Sequence, residues 1–211
     1  MWIRILGLVV GAFVLVSLVE RLRRRYQRGP APTWANIWLD SPLRRWIDPV
    51  NRFLAWGNFL SGQVVLEIGP GPGYFTPHIA RQVAAQGCVV ALDINALLLR
   101  RALSAVQRVG LSALVHGVRA DALALPLGGD RVDRALLVTV SGEISDRMVL
   151  FRELHRVLRP GGMVLIGEVW SDPGFSPSSR IQAWAAAAGF TAVQRYGRPW
   201  HYALLLRKEG N

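Results

Sequence analysis

The most constraining feature of this 211-residue chain is the segment VVLEIGPGPGYFT at residues 64–76, where a short apolar run ends in alternating glycines. The run Val64–Ile68 has the length and composition of a buried strand, and a helical pattern begins directly after the glycines. Glycines at such a junction allow a sharp turn and bring backbone N–H groups against a ligand, because no Cβ intervenes. The segment therefore predicts a ligand-binding loop between the first strand and first helix of an α/β sheet.

The next strand supplies a carboxylate where a nucleoside ligand needs one. The apolar run CVVALDIN contains Asp93, twenty residues after Gly73. A carboxylate at the tip of the second strand can accept hydrogen bonds from both hydroxyls of an adenosine ribose. We therefore predict that the glycine loop and Asp93 bind the same adenosine-containing ligand.

The acid at Glu67 distinguishes two kinds of ligand. The dinucleotide fingerprint G-x-G-x-x-G requires a glycine at position 74, where this chain has Tyr74. A carboxylate just before the loop repels a pyrophosphate and attracts a cation. The pattern E-x-G-x-G-x-G therefore favours S-adenosylmethionine, which carries a sulfonium and an ammonium. A purely structural glycine turn is the alternative.

Later segments continue the alternation of strands and helices. Asp121 follows a third apolar run, LVHGV, and its carboxylate can accept from an adenine amino group. A fourth run, RVDRALLVTV, has Asp133 near its start. A helix follows, and RVLRPGG predicts the end of that helix and a Pro-Gly-Gly turn before a buried strand. After a helix over 178–189, TAVQRYG and WHYALLLRK predict two closing strands. Such an alternation indicates a mostly parallel sheet with helices on its faces.

Residues 62–170 resemble class I S-adenosylmethionine-dependent methyltransferases, and most of all the broad group that contains ubiquinone/menaquinone C-methyltransferases and small-molecule methylases. The resemblance rests on the glycine loop, Asp93, Asp121, Asp133 and RVLRPGG in family order. It implies an α/β fold with a Rossmann-like, doubly wound, seven-stranded sheet, mostly parallel with one antiparallel strand. It implies no particular substrate, since substrates in this family are set outside these motifs.

The resemblance also implies site residues. The cofactor-binding residues it implies are Glu67, Gly69, Pro70, Gly71, Gly73, Asp93, Ile94, Asp121, Ala122 and Val140. Glu143 occupies the place after the fourth strand where many family members carry a histidine, so it is the candidate catalytic base for a substrate that arrives protonated. A structural or helix-capping role for Glu143 is the alternative. No zinc-type spacing of Cys and His occurs, so no metal is expected.

The first 28 residues form a separate unit. Residues 5–19 are apolar and uncharged, and with Arg4 reaching the headgroups the segment 1–19 exceeds the minimum of about 17 residues for a transmembrane helix. Five arginines between residues 21 and 28 predict that the following chain is cytoplasmic. A cleaved signal peptide is the alternative, but no small-x-small cleavage site is present. We therefore expect a single-pass membrane anchor with the catalytic domain on the cytoplasmic side.

The charge pattern indicates which partners to expect. The net charge of +11 suits either nucleic acid or an anionic membrane surface, and beside a membrane anchor the lipid surface is the simpler partner. Methylases of exocyclic amines in nucleic acids usually carry an Asn/Asp-Pro-Pro-aromatic motif after the fourth strand, where this chain has TVSGE, so we expect no nucleic-acid partner. Gly7 and Gly11 form a GxxxG spacing that could pack two anchors into a homodimer.

Three units follow from these patterns: an anchor and basic segment (1–28), a linker with tryptophan-rich helices (29–61), and a methyltransferase domain (62–211). The middle unit holds Trp34, Trp38, Trp46 and Trp56, which could be core or could face substrate or lipid. The sequence predicts a membrane-anchored methyltransferase of a hydrophobic small molecule, such as a quinone, isoprenoid or lipid. The alternatives are a tethered methylase of a soluble metabolite or thiol, and a non-catalytic cofactor-binding scaffold.

Overall fold

The computed structural model of the chain describes Val19, residues 50–84 and residues 86–210. These residues contain one sheet with the strand order β3-β2-β1-β4-β5-β7-β6. The strands are β1 (Val64–Ile68), β2 (Cys88–Asp93), β3 (Val115–Arg119), β4 (Val132–Val138), β5 (Leu158–Val169), β6 (Phe190–Arg198) and β7 (His201–Lys208). Strands β1 to β5 are parallel, and β7 runs antiparallel to both of its neighbours, β5 and β6. The predicted seven-stranded sheet with one antiparallel strand is confirmed.

Helices connect the parallel strands, except between β3 and β4, where residues 120–131 form a loop. The described helices are α1 (Val50–Gly57), α2 (Thr76–Val83), α3 (Ala96–Gln107), α4 (Arg147–Val157) and α5 (Ser178–Ala187), with a short 3-10 turn at Ser112–Leu114. The side chains of Asn95 and Asp146 cap α3 and α4 by accepting from two backbone N–H groups each. Such caps satisfy donors that the first helical turn leaves unpaired, so both helices begin where the sequence supplies an Asx residue.

The sheet is buried on both faces, which explains the continuous apolar runs of its central strands. Leu66 and Ile68 of β1 belong to the core on one face, together with α4 and α5. Val65 belongs to the core on the other face, together with α1, α2 and α3. Glu67 is therefore a carboxyl group within a strand whose neighbouring residues are all core.

The strand order places the site. From β1 the chain moves outward to β2 and β3, and then returns to the other side of β1 to form β4. In open α/β sheets, ligands bind outside the carboxyl ends of the strands at the point where the order reverses. The loops after β1 and β4, which contain the predicted glycine loop and Glu143, flank this point.

The structure differs from the sequence prediction around the RPGG segment. We predicted a turn between α4 and the fifth strand, but β5 begins at Leu158, directly after the helix. Its pairing with β4 shifts register between Val132 and Arg134, and Gly161 has a φ of +74°. The tight turn is therefore an irregularity within the strand, because the glycine accommodates it without ending the pairing.

Helix α1 is the described part of the predicted tryptophan-rich unit. Phe53 and Leu54 are buried, and Trp56 stacks on Tyr196 of β6 with ring centroids 4.9 Å apart. The inward face of α1 is thus core. The predicted anchor at 1–19, the Gly7/Gly11 contact and the other three tryptophans of this unit lie outside the described residues. Within the described ranges, no helix is long and apolar enough to cross a bilayer.

Candidate cofactor site

The glycine loop turns sharply between β1 and α2. Gly69 and Gly73 have φ values of +67° and +89°, which L side chains rarely adopt. A Cβ at Gly69 would lie 2.5 Å from Val140 Cγ2, and one at Gly73 would lie 2.8 Å from the Cα of Ala102 in α3. The loop is therefore packed against the loop after β4 and against α3, and only glycines leave room for this close approach.

Glu67 lies beneath this loop with an unsatisfied oxygen. The residue is 2% exposed, and burial, with a smaller contribution from nearby Asp93, raises the pKa of its carboxyl to about 7. The Thr76 hydroxyl is near enough to lower this pKa, yet neither Thr76 Oγ1 nor Glu67 Oε2 has a hydrogen-bond partner of normal geometry among the described residues. A buried carboxylate oxygen without a partner fits a site that binds a positively charged group.

Asp93 ends β2 beside the same loop. The residue is 8% exposed, and Oδ1 accepts a 2.8 Å hydrogen bond from the Asn95 backbone. Burial raises the pKa of this carboxyl, and the backbone N–H groups of Asn95 and Gly71 oppose that shift. The carboxylate is thus oriented by the backbone on both sides. The next residue, Ile94, is 51% exposed and provides an apolar surface beside it.

Asp121 joins the site from the end of β3. The backbone N–H of Ala120 donates to the Asp93 carbonyl at 3.3 Å, which ties the ends of β2 and β3 together. Asp121 Oδ1 accepts from the Leu123 backbone at 2.9 Å, and the carboxylate is exposed. Ala122 beside it is 5% exposed and packs into the core. The acids predicted after the second and third strands therefore lie at neighbouring strand ends, as an adenosine site requires.

The loop after β4 contains the other two predicted site residues. Val140 packs against Gly69, as the close approach to a Cβ there shows. Glu143 is half-buried, and its backbone N–H donates to the Val140 carbonyl at 2.9 Å. Its place in a turn directly after β4 puts Glu143 on the loop that borders the glycine loop. Its catalytic role stays a prediction.

Asp133, which is part of the family pattern, lies at the opposite edge of the sheet. Oδ2 accepts from the Val64 backbone at 2.8 Å, and Oδ1 pairs with Arg159 at 2.5 Å. Both partners are at the amino ends of β1 and β5. Asp133 therefore ties three strands together and has no place in the cofactor site.

Sequence reasoning missed a second buried carboxyl, Glu168 near the carboxyl end of β5. It is 2% exposed, Oε1 accepts a 2.6 Å hydrogen bond from Ser141 Oγ, and Oε2 accepts from the Ser176 backbone at 3.2 Å. Burial raises the pKa of Glu168 to about 8. The signal was present in the sequence, since Glu168 interrupts the apolar run MVLIGEV just as Glu67 interrupts VVLEI. Within the described part of the chain, no group of three His, Cys, Asp or Glu side chains could hold a metal ion.

Relatives of known sequence include methyltransferases. A family model described as a methyltransferase domain matches residues 66–166. The ubiquinone/menaquinone biosynthesis C-methyltransferase UbiE of Vibrio vulnificus (strain YJ016) is 34% identical over 120 residues, which is 57% of this chain and 46% of that protein. Its counterpart from Pasteurella multocida (strain Pm70) is 33% identical over 120 residues, covering 57% and 44%. The chain thus matches less than half the length of these curated relatives.

Solved structures share the fold. A SAM-dependent methyltransferase from Aquifex aeolicus has a TM-score of 0.77 at 20% identity, covering 85% of this chain and 100% of that one. The (4+2)-cyclase SpnF has a TM-score of 0.68 at 17% identity, covering 77% and 81%. Because one of these proteins is named for a cyclisation, the fold alone does not establish methyl transfer, and the site residues must carry that argument.

Proposed function

We propose that this chain, whose residues 66–166 form a class I S-adenosylmethionine-dependent methyltransferase domain, methylates a hydrophobic small molecule at a membrane surface. The observation that carries the methyl-transfer part is the unpartnered buried oxygen of Glu67 beneath the glycine loop. A site for a neutral or anionic nucleotide has no use for a buried acid there, whereas a sulfonium and an ammonium give that acid a charge partner.

Three acids at adjacent strand ends each bind a different part of the cofactor. Glu67 offers a carboxylate to the positive charge of the cofactor. Asp93, already oriented by two backbone N–H groups, accepts from the ribose hydroxyls. Asp121 accepts from the adenine amino group, with Ala122 beside it. Ile94 and Val140 contribute apolar surface on either side of the glycine loop.

The cofactor supplies a methyl group whose bond to positively charged sulfur breaks with its electrons moving to sulfur. The chain must align an acceptor atom with that bond and keep water out. A phenol or an activated carbon acid must also lose a proton as the new bond forms. We propose that the Glu143 carboxylate takes this proton, because it lies on the loop that packs against the glycine loop.

The substrate class is supported by two independent features. The matched relatives are named for ubiquinone and menaquinone biosynthesis, and they align over 57% of this chain. The apolar segment at 1–19, followed by five arginines, has the composition of a membrane anchor with its basic flank on anionic lipid in the cytoplasm. An anchored enzyme meets substrates dissolved in the bilayer. A homodimer through Gly7 and Gly11 would be compatible with this arrangement.

Transfer of a tritiated methyl group from S-adenosylmethionine tests the proposal. The full chain is incubated with membranes from cells that lack it, and the label is followed into organic and aqueous extracts. We expect label in an organic-soluble product one CH2 heavier than its precursor by mass spectrometry, and much less label with Asp93→Ala when the cofactor is limiting. Label confined to the aqueous phase would instead indicate a soluble metabolite. Tight cofactor binding without any labelled product would indicate a scaffold.

A further inference from the structure

Glu168 links the two loops that follow β4 and β5. One carboxylate oxygen accepts from Ser141 Oγ in the loop after β4, at 2.6 Å. The other accepts from the Ser176 backbone in the loop after β5, at 3.2 Å. The Tyr202 hydroxyl of β7 donates to the Ser176 carbonyl, so the second loop is held from two strands. One buried side chain thus holds both loops at the carboxyl edge of the sheet.

The backbones of the same two loops pack closely against each other at Gly142 and Gly174. A Cβ at Gly174 would lie 2.6 Å from the Cα of Gly142, and one at Gly142 would overlap Gly174 in turn. Such an approach is possible only between glycines, and it lies directly after the residue that Glu168 holds. The two loops therefore form one packed unit, with the carboxyl of Glu168 beneath it.

This unit rests on the cofactor loop through Val140. Val140 precedes Ser141 and fills the space beside Gly69, where a Cβ would lie 2.5 Å from Val140 Cγ2. Thr139 before it has a φ of +55°, which a β-branched residue adopts only when its surroundings impose it. The hydrogen bond from Ser141 to Glu168 lies two residues beyond Thr139 and fixes the far side of this strained turn. Displacing Ser141 would move Val140 away from Gly69 and shift Glu143 as well.

We propose that Glu168 is a positioning residue that locks the loop after β4 onto the glycine loop by bonding it to the loop after β5. It acts through Ser141 and Val140 and does not itself touch the cofactor. Arg147 also holds this loop, since its Nη2 donates to the Gly142 carbonyl at 3.2 Å. Loss of Glu168 should therefore loosen the loop without unfolding it. The proposal rests on the cofactor site described above and not on the identity of the methyl acceptor.

Amide hydrogen exchange and affinity for S-adenosylhomocysteine test this role in the full-length protein. In Glu168→Ala, we expect exchange to accelerate in both segments, 139–146 and 170–177, and the dissociation constant to rise about five- to tenfold, the usual loss for one buried hydrogen-bonded contact. Glu168→Gln keeps the shape and can still bond Ser141 Oγ and the Ser176 N–H, so it should restore both readouts to within about twofold.

Asp133→Ala is the matched control, because it also removes a carboxylate that ties strands through two partners, but at the opposite edge. It should lower thermal stability while leaving exchange in the two loops and cofactor affinity unchanged. Should Glu168→Ala fail to fold, Ser141→Ala removes only the contact to the first loop and should accelerate exchange in 139–146 alone. Unchanged affinity in a folded Glu168→Ala, or a uniform rise in exchange across the sheet, would overturn the proposal. Neither readout depends on which molecule is methylated.

Discussion

Glu67 and Asp93 are two buried carboxyl groups at the ends of adjacent parallel strands, and burial together with the proximity of Asp93 raises the pKa of Glu67 to about 7. Burial likewise raises the pKa of Asp93. Two neighbouring acids whose ionisation is disfavoured by burial are typical of a site where a ligand stabilises the charged forms. The cationic part of S-adenosylmethionine can do so at Glu67, while the ribose hydroxyls can donate to Asp93.

This pairing predicts that cofactor affinity depends on pH. Binding a cation requires the ionised form of Glu67, so affinity should strengthen as pH rises toward 7, by up to about tenfold per unit, and level off above it. Titration calorimetry with S-adenosylmethionine between about pH 5.5 and 8 measures this. Glu67→Gln is the control, because the cofactor's own amino group titrates equally in both proteins. Parallel pH profiles of affinity for the two proteins would show that ionisation of Glu67 does not affect cofactor binding.

The two buried glutamates also predict how stability depends on pH. Their folded-state pKa values, about 7 and about 8, lie above the ordinary value of 4.5, so the folded protein retains protons that the unfolded chain has released. Stability of the cofactor-free protein should therefore fall as pH rises from 6.5 to 8, with each group contributing at most about 1.4 kcal/mol per unit below its own folded pKa.

Urea unfolding across this window measures the effect. His78 and His155 have pKa values lowered from 6.5, chiefly by burial, so they oppose the trend near pH 6.5 and their contribution fades as pH rises above it. Glu168→Gln should flatten the upper part of the profile, because an amide cannot ionise. A wild-type profile that rises over the same range would contradict the assignment of both pKa values.

Asp93→Ala should weaken binding of S-adenosylmethionine by about 1.5–3 kcal/mol, since two charge-assisted hydrogen bonds to the ribose are lost. Asp121→Ala should cost less, because Asp121 is exposed and competes with water for the adenine amino group. Calorimetry on both variants gives the comparison. Binding of NAD in place of S-adenosylmethionine by the wild-type protein would show that the reading of the glycine loop is wrong.

The placement of the predicted cofactor-binding residues at neighbouring strand ends was predictable, because each follows a local sequence pattern. Glu67, the loop glycines and Asp93 each follow an apolar run, and parallel strands bring their carboxyl ends together. Asp133 shows where this reasoning stops. The sequence places it near the start of the fourth strand, but the pattern does not show its role there, which is to bond Val64 and Arg159 at the far edge of the sheet.

Glu168 and the loop contacts were not predictable from spacing. An acid in an apolar run can face the core or the sheet edge, and the register with β7 decides which. The contact between Gly142 and Gly174 joins two loops 32 residues apart, and neither loop has a sequence motif that indicates contact with the other. The buried carboxyl of Glu168 is satisfied by the Ser141 hydroxyl and the Ser176 backbone N–H together, which is a property of the tertiary structure.

Two substitutions in helix α1 test which of its contacts hold it against the sheet. Leu54 is 1% exposed, so Leu54→Ala should lower the free energy of unfolding by about 2–4 kcal/mol through loss of buried surface and the cavity left behind. Trp56→Ala removes a half-buried ring stacked on Tyr196 and should cost less. Chemical denaturation compares the two variants. A larger loss for Trp56→Ala would show that the stacked pair, and not Leu54, fastens this helix to the sheet.

The amino-terminal segment carries the final prediction. If residues 1–19 span the bilayer with Arg21–Arg28 on the cytoplasmic side, full-length protein should remain in membranes washed with alkaline carbonate, because burial of an apolar helix is insensitive to charge and pH. A chain that begins at Gly29 should be released, and it should still bind S-adenosylmethionine, since the described cofactor site lies entirely beyond residue 60. Protease added outside sealed cells should leave the domain intact. A mature protein whose amino terminus lies near residue 20 would show cleavage, and release of the full-length chain by carbonate would show a surface association held by the arginines alone.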